Sequence, residues 1–251
     1  MRTIGRLNET GLHEQLKHLY AGTEGRTECE IDGYVVDVAL PGEIVEIQTR
    51  GFGKLRRKIV DLSPRHRIRI VYPIAAETLI SKLSDTGELL SSRRSPRRGR
   101  VEEVFGEIVW IADLLPDPRI QIDVVLARVV ETRIADGKGS WRRKGVSIVA
   151  RQLGTVVETV HLEQPVDYLR LLPDPLASTF TNADLMEAAG LRYRFVQPIT
   201  RSLRKMGLVQ AVGREGRQNV YEIVRAGPRA GGRSDGQPGD KAHSTSNGSQ
   251  K

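Results

Sequence analysis

The stretch EIVEIQTRGFGKLRRK, residues 43–58, decides how this chain is read. Ile44, Val45 and Ile47 form a short apolar strand that carries Glu46 and ends on Gln48, and residues two apart share one face of a strand. Two glycines, Gly51 and Gly53, interrupt the run. Beyond them Leu55, Ile59 and Leu62 recur at helical spacing and predict a helix over about 53–63. Its polar side is basic, with Lys54, Arg56, Arg57 and Lys58.

Working outward, Pro41-Gly42 marks a tight turn, and YVVDVAL (34–40) places Asp37 in a second apolar arm. With residues 28–33 that arm reads as a hairpin turning at Asp32-Gly33. Asn8 is a helix cap before the apolar face of Leu12, Leu16, Leu19 and Tyr20. IRIVYPI, residues 68–74, is a β-branched run suited to a central strand. Helix, strands, helix, strand is the order of one sheet with a helix on each side. If 34–38 folds onto 44–48 over the Pro41 turn, Asp37 lies across from Glu46. An acid among apolar residues needs a metal or a partner, and Mg2+ takes carboxylate oxygens. The competing reading is a solvated sheet face bearing two ordinary surface acids, with the basic side of the helix equally exposed to water.

Asp37, Glu46-Ile47-Gln48, the basic helix and the IVYPI strand together resemble the PD-(D/E)xK nuclease superfamily, over roughly residues 8–75. The resemblance implies an αβββαβ core in which Asp37 and Glu46 bind Mg2+ or Mn2+. It places Gln48 where the water-orienting lysine is expected. No proline precedes Asp37, and Gln48 carries no charge. Some active members have glutamine there and others move the lysine to the following helix, where Lys54 and Lys58 stand one turn apart. A glutamate on the first helix often completes such a site, which points to Glu9 or Glu14. The catalytic set implied is therefore Asp37, Glu46, Gln48, Lys58 and Glu9, acting on DNA. Many nucleases of this kind cut as dimers, so a homodimer is an option.

Downstream, residues 81–102 lose periodicity and gather Ser, Arg and Gly, as a basic linker or loop does. A middle unit over 103–175 reads as a helical VEEVFGEIVWIADLL segment followed by two long paired strands. They are joined by ADGKGSWRRKG, in which Trp141 sits beside Arg142 and Arg143. An exposed aromatic among cations can stack on a base while the arginines hold phosphates; equally, the tryptophan can tuck into the hairpin. Residues 179–224 give helix, helix and a two-stranded wing, the order of a winged helix-turn-helix. Its second helix carries Arg201, Arg204 and Lys205. With Lys54 and Arg57, these complete the DNA-contacting candidates. The same module also serves as a protein-interaction unit.

Composition narrows the classes. The net charge is +8, but residues 91–100 hold five arginines and no acid, and 225–251 hold five cations and two acids. The remainder is neutral, so the charge does not by itself describe a basic folded surface. A lone cysteine, Cys29, excludes internal disulfides and cysteine-rich zinc sites. No stretch approaches the ~18 apolar residues of a membrane span, and MRTIGRLNETGLHEQLK lacks the apolar core of an export signal, so a cytoplasmic setting is expected. The tail after Arg225 has the composition of disorder. The expected fold is α/β: a restriction-endonuclease-like mixed-sheet core (1–80) with helices on both sides, the β-rich middle unit and a C-terminal winged helix. The expected function is Mg2+-dependent DNA hydrolysis. The alternatives are a catalytically silent nuclease fold that binds DNA, and a protein-interaction module.

Overall fold

A computed structural model describes residues 7–224, with side chains from Gly11 onward; the 225–251 tail lies outside the described residues. The fold is mixed α/β with two sheets. The main sheet has seven strands in the order β1-β2-β3-β4-β6-β7, with β5 also on β4. These are β1 (Arg26–Ile31), β2 (Tyr34–Leu40), β3 (Glu43–Ile47), β4 (Arg67–Leu83), β5 (Leu89–Arg94), β6 (Ile120–Ile134) and β7 (Ser147–Leu162). β1, β2 and β3 are antiparallel neighbours, β3–β4 and β4–β6 run parallel, and β6–β7 is antiparallel. The two early turns follow from their residues: Asp32, Gly33 and Gly42 all take the positive φ that short hairpin turns require.

The alternation in β3 sorts its side chains to the two faces. Val45 and Ile47 join Val38, Val71 and Val125 under α1 (Leu7–Ala21), which contributes Leu16 and Ala21. Ile44 joins Ile68, Ile70 and Ile122 under α2 (Phe52–Leu62), whose Phe52, Leu55, Ile59 and Leu62 form one buried stripe. Each such side chain contributes about 1.5–3 kcal/mol on burial. α2 starts at Gly51 with no side-chain cap and no acid in its first turn. The carboxylate of Glu107 replaces both, accepting the Gly51 and Phe52 N–H groups at 2.6 and 3.0 Å.

Residues 81–102 are not a free linker, and 103–175 do not form a sheet of their own. β4 continues to Leu83, β5 pairs on it, and β6 and β7 extend the same sheet. The segment from Val101, expected to be one helix, is a 3-10 turn (Val101–Val104), a single turn α3 (Phe105–Ile108) and further turns. Val104, Phe105, Ile108, Ile111, Ala112 and Leu115 are all buried there. The buried residues still recur at helical spacing, with Trp110 exposed on the other side, but the backbone winds as short turns and not as one continuous helix.

After the short α4 (Pro165–Leu169), a second sheet of order β8-β10-β9 forms from Thr179–Thr181, Gln218–Ile223 and Val209–Glu215. Between β8 and β9 lie α5 (Asn182–Ala189), capped by Thr181 with Asp184, and α6 (Tyr193–Lys205). Leu185, Val196, Ile199 and Leu203 of these helices belong to the same continuous core as α2 and α3. No helix among the described residues is long and apolar enough to cross a membrane.

Candidate active site

The β2–β3 ladder pairs Leu40 with Glu43, Ala39 with Ile44 and Val38 with Val45, and then stops. Beyond it the strands part, and side chains replace the backbone ladder. Asp37 Oδ2 accepts the Ile47 N–H at 2.8 Å, and the Glu46 carboxylate accepts the Asp37 N–H. The break is built into β2, because Val38 faces the α1 core while Val36 faces the α2 core. Asp37 sits at that change of face. On the neighbouring β1, the opposite residue Glu28 takes a positive φ of 53°.

The two acids differ in their surroundings. Asp37 is half-buried toward α1, with His13 Nε2 3.3 Å from its Oδ2; that nitrogen is also 3.0 Å from the Ile47 carbonyl. Burial pushes the Asp37 carboxyl up, but the hydrogen bonds from His13 and the Ile47 N–H together outweigh it and hold it below the ordinary value. The hydrogen bond to Asp37 raises His13 in turn, against the opposing effect of burial. Glu46, only 6% exposed, faces α2, and its Oε1 lies 2.5 Å from Lys58 Nζ. Burial pushes its carboxyl up, and the ammonium offsets that only in part. Lys58 also donates to the Val35 carbonyl at 2.6 Å. Adjacent strands thus present one carboxylate held ionised and one pushed toward neutrality.

The other expected residues are distributed around this pair. Gln48 follows Ile47; its N–H bonds the Val71 carbonyl at 2.9 Å and its amide donates to the Arg50 carbonyl at 2.5 Å. Glu14 lies 2.6 Å from Lys17, whose side chain is 3% exposed and also reaches Glu28 at 2.7 Å. Glu9 is in α1, but its side chain lies outside the described residues. Lys54 and Arg57 are exposed on α2, with Asp61 3.7 Å from Arg57. Trp141 is 83% exposed, with the Arg142 guanidinium 5.5 Å from its ring centre, so it does not tuck into the hairpin. Arg201, Arg204 and Lys205 share one exposed face of α6; Lys205 also donates to the Val109 carbonyl at 2.9 Å.

His13 and Lys17 escaped the sequence reading because they flank the apolar face of α1 and their partners, Asp37 and Glu28, lie on strands distant in sequence. The same holds for a buried network near the start of β4, one residue before Ile70, which pairs with Glu46. There Arg69 bonds Asp123 and Gln121 at 2.8 Å each and pairs with Glu43 at 3.1 Å. Asp123, 2% exposed, also accepts from Tyr20 at 2.9 Å and meets His161 at 2.8 Å. Every member has a partner, as a structural network requires.

Among the described residues, no three His, Cys, Asp or Glu side chains form a group able to hold a metal by themselves. The donors at the strand parting are therefore the two carboxylates. Mg2+ is commonly held by one or two carboxylates together with waters and substrate phosphates; of the two here, Asp37 turns toward α1 and its His13, and Glu46 turns toward α2 with one oxygen on Lys58.

The chain belongs to a family described as a domain of unknown function, DUF8091, which matches residues 10–163. The match runs from α1 through the end of β7 and so includes the whole seven-stranded sheet. An uncharacterized protein of Treponema pallidum (strain Nichols) is 31% identical over 221 residues, covering 87% of each chain. No solved structure matches.

Proposed function

We propose that this DUF8091 protein is a divalent-metal-dependent nuclease that hydrolyses DNA phosphodiesters. Asp37 and Glu46 would hold the metal, and Lys58 or Gln48 would orient the water it activates. The observation that carries the reading is the parting of β2 and β3: two acids, each tied to the other strand, with a lysine from the next helix on Glu46. The order α1-β1-β2-β3-α2-β4 agrees with the αβββαβ core of the PD-(D/E)xK superfamily. Lys58 stands on the helix to which some of its members move the lysine.

Mg2+ or Mn2+, when bound, supplies an activated water and neutralises charge developing on the phosphate. The chain's own groups set up that chemistry. His13 and the Ile47 N–H keep Asp37 ionised and fix its orientation. Lys58 keeps a cation against Glu46, whose burial otherwise favours the neutral acid. In this reading the helix–helix–hairpin unit acts as a winged helix, bringing Arg201, Arg204 and Lys205 to the DNA backbone. A homodimer and a cytoplasmic setting belong to the same proposal.

The test is incubation of labelled single-stranded and duplex DNA with the protein in millimolar Mg2+ or Mn2+. Cleavage that disappears in Asp37→Asn and in Glu46→Gln is expected. Intact DNA with both metals, or equal cutting by the variants, rejects the reading. The Lys58–Glu46 ion pair favours one alternative, a silent nuclease fold that binds DNA; binding without cleavage in either metal would select it.

A further inference from the structure

β3 ends at Ile47, where it pairs with Val71, while β4 runs on to Leu83 and regains a neighbour on that edge only at Leu79, opposite Arg94 of β5. Residues 72–78 therefore form a gap in the sheet edge, bordered by the incoming chain at 95–99. Ser95 and Gly99 donate to the Thr78 and Ala75 carbonyls at 2.8 and 3.0 Å. Gly99 passes so near that a Cβ there would lie 2.6 Å from the Ala75 oxygen.

A cleft of about 510 Å3 opens at this gap. Its wall includes Leu12 and Thr49, the chain neighbours of His13 and Gln48. Its charged lining is Arg97, Arg133, Arg143 and Arg151 with Glu103 and Glu131, two cations in excess. Glu131 is 5% exposed and works as a clamp: its two oxygens hold Arg133 at 2.6 Å and Arg151 at 2.9 Å. Arg97 is held by Glu103 at 2.8 Å. Arg143 belongs to the turn that carries exposed Trp141.

We infer that this cleft and the Trp141 turn form a seat for single-stranded nucleic acid, which rests on the nuclease reading and names its substrate class as an unpaired strand. Pre-oriented arginines suit phosphodiester oxygens. An exposed tryptophan beside them offers a stacking face to a base, and groove cations with an aromatic platform are the means by which unpaired strands are held. Clefts of about 300–1,000 Å3 enclose ligands of drug size. That admits a short piece of one strand and not a duplex, whose major groove alone is about 12 Å across.

The experiment is fluorescence anisotropy with labelled oligo-dT, oligo-U and a duplex of equal length, in EDTA so that no cleavage intervenes. The single strands are expected to bind at least about tenfold more tightly than the duplex; the dT and U arms show whether one sugar is preferred. Trp141→Ala is expected to weaken single-strand binding about tenfold, the order of one lost base stack. Arg143→Ala and Arg151→Gln are each expected to lower the salt slope by about 0.7, one phosphate contact on a single strand. Trp141 and Arg143 are exposed, so their variants should fold, and thermal melts verify it. Tighter or equal duplex binding, undiminished binding in Trp141→Ala, or no single-strand binding each overturns the inference. DNA cleavage lost in Asp37→Asn, with no single-strand preference, would leave the nuclease reading standing and remove this seat. Single-strand binding without cleavage would do the reverse.

Discussion

Replacing Lys58 by methionine removes the cation from Glu46 and keeps most of the side-chain volume. The two side chains are 15% and 7% exposed, and their charged atoms are 2.5 Å apart. Stranding one member of a buried pair costs about 3–5 kcal/mol when the other must stay charged. Here Glu46 keeps the Asp37 N–H and can take up a proton, so the loss depends on pH. Its carboxyl already lies above the ordinary 4.5 because of burial, and removing Lys58 moves it further in that direction. A carboxyl raised on folding gives its full support below the unfolded pKa, and the support fades as pH rises through the folded value. The variant should therefore lose about 1 kcal/mol near pH 5, mainly the Val35 hydrogen bond, and about 3 kcal/mol near pH 8. Urea unfolding resolves this, since m-values of about 1–3 kcal/mol/M make the larger loss a midpoint shift of about 1 M or more. A loss equal at both pH values, or absent at the higher one, would refute the reasoning. If the acid pair holds a metal, Mg2+ at about a hundred times its Kd should return about 2.7 kcal/mol.

Three further outcomes are expected. In an NMR titration His13 should have a pKa above 6.5 that falls in Asp37→Asn; an unchanged value would break the assigned contact. The sign for stability follows: the raised His13 supports the fold below about 6.5 and fades as pH rises through its folded value, whereas Asp37 supports it above its unfolded value and fades on acidification through its depressed one. Arg69→Ala should cost about 3–5 kcal/mol by stranding Asp123, more than the roughly 1.5–3 kcal/mol of Tyr20→Phe; chemical denaturation giving the reverse order would show the network misassigned. Leu203→Ala should cost about 2–5 kcal/mol and unfold together with the sheet, and calorimetry showing two separate transitions would contradict the shared core.

Local features were legible because local chemistry dictates them. Gly42 and Asp32-Gly33 mark the hairpins, the EIVEI alternation divides β3 between two faces, and Leu55, Ile59 and Leu62 give α2 its stripe. Illegible were the features set by neighbours distant in sequence. The end of β4, residues 81–83, resembles a polar linker because its side chains are half-exposed beside β6, and β5 is exposed along its whole length. The region around Phe105 reads as a helix because its apolar residues recur at helical spacing, yet only four residues there form an α-turn and the rest wind as 3-10 and other turns. At the site, Asp37 and Glu46 stood out as acids in apolar strands. His13 and Glu131 did not: His13 meets its acid 24 residues away, and Glu131 holds Arg151 on the next strand as well as Arg133 on its own.

The unbroken core through α2, α3 and α6 has a mechanical consequence. Lys205 is fastened to the Val109 carbonyl, one residue past α3; Glu107 within α3 caps α2; and α2 carries Lys58 to Glu46. Each link is short and charge-assisted, so the exposed arginines of α6 and the acid pair keep a constant separation. The exposed face of α6 and the acid pair thus act as two fixed marks on one ruler; under the proposed reading, a strand gripped at α6 would meet the acids at a distance fixed by the protein and independent of the strand's sequence.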